Sequence, residues 1–150
     1  MTEKEMWNLY TKNNDVKNKT YDAWCFGGDA SSIANELAKL VVNGIKTATA
    51  SAYQLYEIEN SPLPPIGGLN IILDSDNNAV CITETTKVYT CPFLEVSESH
   101  AFKEGEGDFS LAYWRKVHKD FFSKELKVYD LDFDENMIIV CEEFEVVWKE

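Results

Sequence analysis

The stretch Gly44-Ile45-Lys46-Thr47-Ala48-Thr49-Ala50-Ser51 organises this chain, because eight residues hold a helix end, a lysine, two threonines and a new helix start. Upstream, apolar residues recur at helical spacing and predict a helix from about Ser31 to Val42. Asn43 and Gly44 tolerate the left-handed turn that commonly ends a helix. Downstream, Ser51 and Gln54 have the spacing of a capping box, which predicts a second short helix that begins there.

Lys46 and Thr49 are three residues apart, so they share a face if the backbone turns as the flanking signals predict. A hydroxyl is a weak nucleophile near neutral pH, and a desolvated lysine whose pKa is lowered can take its proton. Backbone amides at the start of the Ser51 helix would then face the oxyanion that forms. The structural alternative is that Lys46 interacts with the helix dipole and Thr49 lies in a cap or strand, which are the commoner uses of both residue types.

Length and composition predict a single domain over residues 1-150, since 45% of the residues are hydrophobic and the chain is long enough for one continuous core. The formal net charge of -12 disfavours tight binding of long nucleic acid unless basic groups cluster. The four cysteines form no CxxC pair and the two histidines are far from them, so we expect reduced thiols, no metal and no other cofactor. Cys81 and Cys141 are expected to pack inside strands.

The N-terminal sequence MTEKEMWNLYTKNND lacks the apolar segment of a signal peptide, and no apolar run elsewhere reaches membrane-spanning length. We therefore expect a cytoplasmic protein with no membrane partner. Thr2 and Glu5 have capping-box spacing, which predicts an amphipathic helix at about 2-13.

Two features further along the chain involve strands. Trp24 and Phe26 alternate in a short strand-like segment, where they can line an aromatic pocket, although such residues more often belong to the core. Ala79 to Tyr89 alternates well and places Glu84 on a largely apolar face. A carboxylate there is paired, with Lys46 as the candidate partner, or is protonated, or reaches water from a half-buried face.

The segment around residues 96–126 predicts two helices. Val96 to Phe102 is a short one that contains His100, and the second runs from Phe109 or Ser110 to about Leu126 with Asp108 as its cap. Mixed helices and strands without regular βαβ alternation predict an α+β fold with a mostly antiparallel sheet or small barrel.

Two residues of the second helix are candidate functional groups. Arg115, the sole arginine of the chain, can clamp a carbonyl or phosphate, but it is more commonly expected to pair with an acid such as Asp108 or Glu106. His118 shares a helical angle with Trp114 and has no partner that the sequence marks, so a structural histidine is favoured over a catalytic one.

Seven segments occur in order along the chain: Gly44-Ile45-Lys46-Thr47-Ala48-Thr49, the Leu63-Pro64 to Gly67-Gly68 turn, Cys81-Ile82-Thr83-Glu84-Thr85-Thr86, Pro92-Phe93, Glu104-Gly105-Glu106-Gly107-Asp108, Tyr113-Trp114-Arg115 and Cys141-Glu142-Glu143-Phe144. Together, from about Tyr21 to Trp148, they resemble ASCH domain proteins of the longer bacterial type. The resemblance implies a PUA-like fold, a small mostly antiparallel β-barrel with flanking helices and a cleft near the glycine-lysine motif.

The same resemblance implies an activity. A small bacterial ASCH member is an amidohydrolase that removes the acetyl group from N4-acetylcytidine, using a lysine, a threonine three residues later and a glutamate on a following strand. The matching positions are Lys46, Thr49 and Glu84, so the resemblance implies a metal-independent hydrolase of a small acylated nucleoside. We predict substrate contacts from Trp24, Phe26, Tyr53, Ser51 and Arg115.

RNA is the alternative partner. ASCH domains have been proposed as RNA-binding modules, and some longer relatives have been linked to RNA cleavage. RNA binding here requires the lysines of the long helix to form a basic patch despite the net charge. These lysines are Lys116, Lys119, Lys124 and Lys127.

Overall fold

The computed structural model describes residues 1–16, 19–27 and 31–150. The helices in these ranges are α1 (Glu3–Asn13), α2 (Ser31–Val42), α3 (Tyr53–Ile58), α4 (Glu98–Glu104) and α5 (Leu111–Lys127), with a 3₁₀ turn at Phe93–Glu95. The strands are β1 (Tyr21–Trp24), β2 (Ala48–Ala52), β3 (Leu69–Leu73), β4 (Ala79–Pro92) and β5 (Ile138–Lys149). Within the described ranges, no helix combines the length and the apolar composition needed to cross a membrane.

The five strands form one sheet in the order β1-β3-β4-β5-β2. The pairs β3–β4 and β2–β5 are antiparallel, whereas β1 pairs with β3 in parallel. The predicted α+β class with a mostly antiparallel sheet is therefore confirmed. The sheet is open rather than closed into the expected barrel, because closure requires the two edge strands to pair with each other and the order ends at β1 and β2.

One compact unit comprises Met1–Ile45, Ile66–Thr86 and Phe144–Glu150. Met6 and Tyr10 on α1 pack against the apolar face of β3, and a second cluster surrounds Phe26. The hydroxyl of Thr2 accepts from the amide of Glu5, whose carboxylate accepts from the amide of Thr2, so the predicted capping box and first helix are confirmed.

The end of α2 also follows the sequence signals. The helix spans Ser31–Val42, as its periodicity predicts. Gly44 has a φ of +72°, and the amide of Ile45 donates to the carbonyl of Leu40 at 2.9 Å. This geometry is the left-handed C-terminal turn that Gly44 favours.

The second compact unit comprises Lys46–Pro65 and Lys87–Glu143. Its core gathers apolar side chains from β2, β4, β5 and the two later helices. The buried members are Ala52, Phe93, Val96, Ala101, Trp114, Phe122, Ile139 and Cys141.

The predicted burial of two cysteines in strands is confirmed. Cys141 on β5 and Cys81 on β4 are both buried free thiols.

The predicted capping box at Ser51 is wrong, although the predicted second helix is present. Ser51 lies in β2, where it pairs with Val140 of β5, and α3 begins after Ala52 without a side-chain cap. The Ser51 hydroxyl instead hydrogen-bonds the phenol oxygen of Tyr56 at 2.8 Å. Pairing with β5 holds Ser51 in extended backbone one residue before the N-cap position, so tertiary pairing overrides the local signal.

The later helices begin at serines. Ser97 caps α4 by accepting from the amide of His100, and Ser110 caps α5 by accepting from the amide of Tyr113. Asp108, which the sequence predicts as the cap of α5, instead accepts from the amide of Ser110. That prediction is therefore wrong by two residues, and Asp108 stabilises the turn that leads into the cap.

Candidate active site

The ammonium group of Lys46 is the centre of the site. Lys46 is only 2% exposed and lies just before β2. Its Nζ donates to the carbonyl of Ala48 at 2.9 Å, to Glu104 Oε1 at 3.1 Å and to Glu106 Oε2 at 3.0 Å. These three acceptors match the three protons of an ammonium group.

Thr47 attaches this segment to the end of α4. Its backbone amide donates to the carbonyl of Lys103 at 2.7 Å, and its hydroxyl donates to the same oxygen at 3.3 Å. Because Lys103 immediately precedes Glu104, these bonds hold the lysine segment beside the carboxylate.

Glu104 receives donors at both carboxylate oxygens. Oε1 faces Lys46 Nζ and lies 3.4 Å from His118 Nε2. Oε2 accepts from His100 Nε2 at 2.7 Å and from the indole nitrogen of Trp114. A carboxylate has about four acceptor positions, so this buried group is saturated and its orientation is determined by four different side chains.

His118 is arranged as an imidazolium. Its Nδ1 lies 2.9 Å from the carbonyl oxygen of Trp114, and its Nε2 faces Glu104. Since both partners are acceptors, both ring nitrogens carry protons. The ring also stacks on the Trp114 indole with centroids 4.2 Å apart and planes inclined by 14°, which favours a cation.

His100 has a different arrangement. Its Nε2 donates to Glu104, while its Nδ1 lies 3.4 Å from the hydroxyl of Tyr89, which donates to it. His100 therefore orients Glu104 and is itself oriented by Tyr89.

Burial and charge act in opposite directions on three pKa values in this cluster. Burial lowers the pKa of Lys46, but Glu104 and Glu106 outweigh it and raise that pKa. Burial raises the pKa of Glu104, but Lys46, His118 and the histidine hydrogen bonds hold that pKa well below its ordinary value. Burial also lowers the pKa of His118, but the charges of Glu104 and Glu106 and the hydrogen bonds to Glu104 and Trp114 together outweigh it and raise that pKa. The cluster is therefore stable as two cations facing two carboxylates.

Glu106 is the most exposed charged member of the cluster. Its side chain is 16% exposed, whereas those of Lys46 and Glu104 are 1% exposed. A small molecule that approaches this cluster meets the Glu106 carboxylate before it meets the lysine. A buried group of perturbed ionisable residues is typical of functional sites, and a structural ion-pair network is the alternative.

A model of the ASCH domain matches residues 22–148 of the chain. The chain belongs to the ASCH domain family. An ASCH domain from Lactobacillus crispatus JV V101 is 34% identical over 96% of this chain and 92% of that one, with a TM-score of 0.90. Protein EF3133 from Enterococcus faecalis V583 is 40% identical over 96% of this chain and 86% of that one, also with a TM-score of 0.90.

A more distant structure shares the fold alone. It is a point mutant of ZmASCH from Zymomonas mobilis, which is 11% identical over 87% of this chain and 71% of that one, with a TM-score of 0.50. No curated protein sequence matches this ASCH domain.

Thr49 occupies a half-buried position on β2 of this ASCH domain. It pairs with Glu142 of β5, and Ser51 pairs with Val140. Because strand partners share a face, Thr49, Ser51 and the buried Glu142 lie on the face opposite Ala52, which packs in the core. The attack of Thr49 on a substrate stays a prediction.

Glu84 lies at a half-buried position on β4, opposite Leu69 of β3. The pKa of Tyr10 is raised first by burial and then by the charge of Glu84, so the carboxylate lies close to α1. Its predicted pairing with Lys46 stays a prediction. The acceptors described around Lys46 Nζ are Ala48, Glu104 and Glu106.

The other predicted substrate contacts have varied surroundings. Phe26 is 5% exposed within a core cluster, and Trp24 contacts it edge to face at 4.5 Å while donating from Nε1 to Asn70. Tyr53 opens α3 at a half-buried position. Phe26 follows β1 and Trp24 ends it, and both pack in or against this core cluster, as the more common alternative for these two aromatics expects.

The predicted ion pair of Arg115 with Asp108 or Glu106 is wrong. Its Nη2 donates to the carbonyl of Leu94 at 2.9 Å. The guanidinium is therefore directed to the 3₁₀ segment Phe93–Glu95, whereas Glu106 accepts from Lys46 and Asp108 accepts from the amide of Ser110. A substrate contact by Arg115 stays a prediction.

Glu104, Glu106 and His118 also present ligand atoms within 4.8 Å of one another, a spacing that can hold a metal ion. However, the ammonium of Lys46 contacts both carboxylates of this set, and His118 donates rather than accepts at its ring nitrogens. A divalent cation would have to displace the lysine and a proton. In this protonation state the three residues fit the ammonium group of Lys46 better than a metal ion.

Sequence reasoning missed Glu104 as the main partner of Lys46. A local signal was present, since His100 and Glu104 are four residues apart on a helix and therefore share a face. Nothing local linked them to Lys46, which is 58 residues away from Glu104.

Proposed function

We propose that this ASCH domain is a metal-independent amidohydrolase that removes the acyl group from a small acylated nucleoside such as N4-acetylcytidine. The observation that supports it is the buried ammonium of Lys46, which is held between Glu104 and Glu106 three residues before Thr49. The net charge of -12 favours a neutral substrate over a phosphorylated one. We expect the reaction to occur in the cytoplasm, as the sequence predicts.

In this mechanism Glu106 is the base and Lys46 is the acid. The raised pKa of Lys46 keeps it an ammonium near neutral pH, so it does not take the proton of Thr49 directly. The Thr49 hydroxyl attacks the acyl carbon and its proton passes to Glu106. Once Glu106 is protonated it no longer accepts from Lys46 Nζ, so that proton of Lys46 can face the oxyanion and then pass to the departing amine. Glu106, 3.0 Å away, then returns its own proton to Lys46.

Water completes the reaction. Glu106 takes a proton from a water molecule that attacks the acyl-threonine ester, the ester bond breaks, and the proton returns to the threonine oxygen. The products are a carboxylic acid and the free nucleoside, and no oxidant or metal is consumed. Glu104 acts as a positioning residue, since its four donors leave no acceptor position for a substrate proton.

Deacetylation of N4-acetylcytidine, followed by chromatography of the released cytidine, tests the proposal. We expect Thr49→Ala and Glu106→Gln each to lower kcat by about a hundredfold or more, as loss of a nucleophile or proton-transfer group does. Glu98→Gln, at an exposed acid on α4, is the matched control and should leave kcat unchanged. A chelator should have no effect.

Two outcomes contradict parts of the proposal. If the wild-type protein releases no cytidine, the proposed amidohydrolase activity is ruled out. A loss of turnover in Glu84→Gln but not in Glu106→Gln would show that Glu84 transfers the proton, as the family resemblance implies.

RNA binding is the second candidate, and one groove supports it. Three of the four lysines named above, Lys119, Lys124 and Lys127, line a cavity of about 690 Å³ together with Ser123 and Phe133. Asp132 and Glu135 line the same groove and reduce its positive charge. Three phosphate contacts predict that log K falls with log salt with a slope of about -2 for single-stranded RNA.

Titration of a labelled single-stranded RNA at several salt concentrations tests this candidate. Affinity that is absent, or unchanged in the triple variant Lys119→Ala, Lys124→Ala, Lys127→Ala, would rule it out. Cleavage of the RNA by wild type but not by Lys46→Ala would show a ribonuclease that uses the lysine cluster instead.

A further inference from the structure

Three aromatic side chains are exposed around the loop that carries Glu106. Phe102 is 66% exposed, Phe109 42% and Tyr113 37%. Phe102 lies on α4 two residues before Glu104, and the other two follow Glu106 within seven residues. We call these three residues the aromatic surface. Exposed apolar groups that cluster in this way often mark a site of interaction.

The first two rings form a pair that the loop holds in an unusual conformation. The centroids of Phe102 and Phe109 are 5.7 Å apart with planes inclined by 52°. Phe109 has a φ of +68°, in the left-handed region that bulky residues rarely adopt. Its amide donates to the carbonyl of Glu106 at 3.0 Å. Backbone strain of this kind is often retained at functional sites, where it orients a side chain.

Tyr113 lies against the same loop. A Cβ atom added to Gly107 would lie 2.5 Å from its ring, so the phenol packs directly on the glycine backbone. Gly107 itself has a φ of +61°. The Tyr113 ring is thereby kept against the residue that follows Glu106, and part of the ring stays exposed.

We infer that the aromatic surface binds the planar base of the substrate, and that the acids of the loop select an unphosphorylated nucleoside. This inference rests on the proposed function. Aromatic faces stack on any nucleobase, and the rings lie on the same chain segment as the proposed base Glu106. The exposed carboxylate of Asp108 can accept hydrogen bonds from ribose hydroxyls, and the negative charges of Asp108 and Glu106 repel a phosphate group.

Steady-state kinetics with N4-acetylcytidine and its 5′-monophosphate test the inference. We expect the monophosphate to have a lower kcat/KM than the nucleoside. Phe102→Ala and Phe109→Gly should each raise KM by about fivefold to a hundredfold with kcat nearly unchanged, which corresponds to the loss of one stacked base contact. Glycine at position 109 also relieves the left-handed strain, so that variant should not lose stability.

Tyr129→Ala is the matched control, because Tyr129 is a 40% exposed aromatic residue outside the loop and should leave KM unchanged. Unchanged KM in both phenylalanine variants, or equal use of nucleoside and monophosphate, would overturn the inference while leaving the amidohydrolase in place.

Binding measurements separate the inference from the proposed function. If the wild type releases no cytidine, calorimetric titration with N4-acetylcytidine gives a Kd directly. A Kd that rises in Phe102→Ala supports the aromatic surface without catalysis, and no measurable binding overturns it. The alternative is that the aromatic surface binds a second copy of the chain, and sedimentation at increasing protein concentration tests it. A dimer that Phe102→Ala disrupts would overturn the inference.

Discussion

At the scale of single residues, Glu104 is the group on which the buried cluster depends. Isolated carboxylates are expensive to bury, and this one is 1% exposed. It is accommodated because Lys46 and His118 supply positive charge while His100 and Trp114 supply further donors. Any change that removes one cation leaves an uncompensated charge in the interior.

Replacing Lys46 with methionine should therefore destabilise the protein strongly. The free energy of unfolding should fall by about 3–5 kcal/mol, because a buried carboxylate loses its partner. Lys103→Ala is the control, since the Lys103–Glu143 ion pair at 3.1 Å is partly exposed and is expected to contribute about 1 kcal/mol or less. Urea unfolding of both variants measures the difference. Equal losses of unfolding free energy would contradict the inference that the buried Glu104 carboxylate depends on the charge of Lys46.

The pH dependence of stability should have two limbs. The pKa of Glu104 is held below its ordinary value of 4.5, so its contribution is present above that pH and is lost as pH falls through the lowered pKa. The pKa of His118 is raised above 6.5, so its contribution is complete below pH 6.5 and is lost as pH rises through the raised pKa. These two groups together stabilise the folded state most between pH 4.5 and pH 6.5.

Urea unfolding from about pH 6 to about pH 9 tests the upper limb. Wild type should lose stability over this range, and His118→Gln should lose much less. The same slope in both proteins would contradict an imidazolium at position 118.

At the scale of elements, the loop between α4 and α5 depends on one glycine more than on others. Gly107→Ala should be destabilising for two reasons, since the left-handed backbone costs about 1 kcal/mol and the new Cβ meets the Tyr113 ring at 2.5 Å. Gly44→Ala is the matched control, because Gly44 is also left-handed at +72° but has nothing within 4 Å of its Cβ position. The larger loss of unfolding free energy should belong to Gly107→Ala, and the reverse order would contradict the packing of Tyr113.

Helix starts give a second comparison of elements. Ser110→Ala removes the hydroxyl that accepts from the amide of Tyr113, so it should destabilise α5 by about 1 kcal/mol. Ser51→Ala should not weaken α3 through capping, because Ser51 lies in β2 and hydrogen-bonds Tyr56. Helical amide exchange measured by NMR distinguishes the two. Faster exchange at the start of α3 in Ser51→Ala would show that Ser51 caps this helix after all, as the sequence predicts.

At the scale of the whole molecule, the sequence predicts one domain over residues 1-150, and β4 and β5 each supply residues to both compact units. We therefore expect one cooperative unfolding transition. Amide signals from both units, followed by NMR during urea titration, should disappear at the same denaturant concentration. Two separated midpoints would contradict the single-domain prediction.

Features that depend on neighbours in sequence were predictable. The capping box at Thr2, the extent of α2 and the stop at Gly44 each need only residues within one or two turns, and all three are confirmed. Ser51 shows the limit of this reasoning, because its capping spacing is present but pairing with Val140 places it in a strand.

The sequence by itself determined the helices with clear periodicity, the α+β class and the family motifs, and it identified Lys46 as a candidate site residue. Only the tertiary structure decided that Lys46 faces Glu104 and Glu106 and that His118 completes the charge balance. The reason is physical: helix periodicity and capping act over a few residues, whereas the partner of a buried charge is whichever group the folded backbone brings within about 3 Å of it, however distant in sequence.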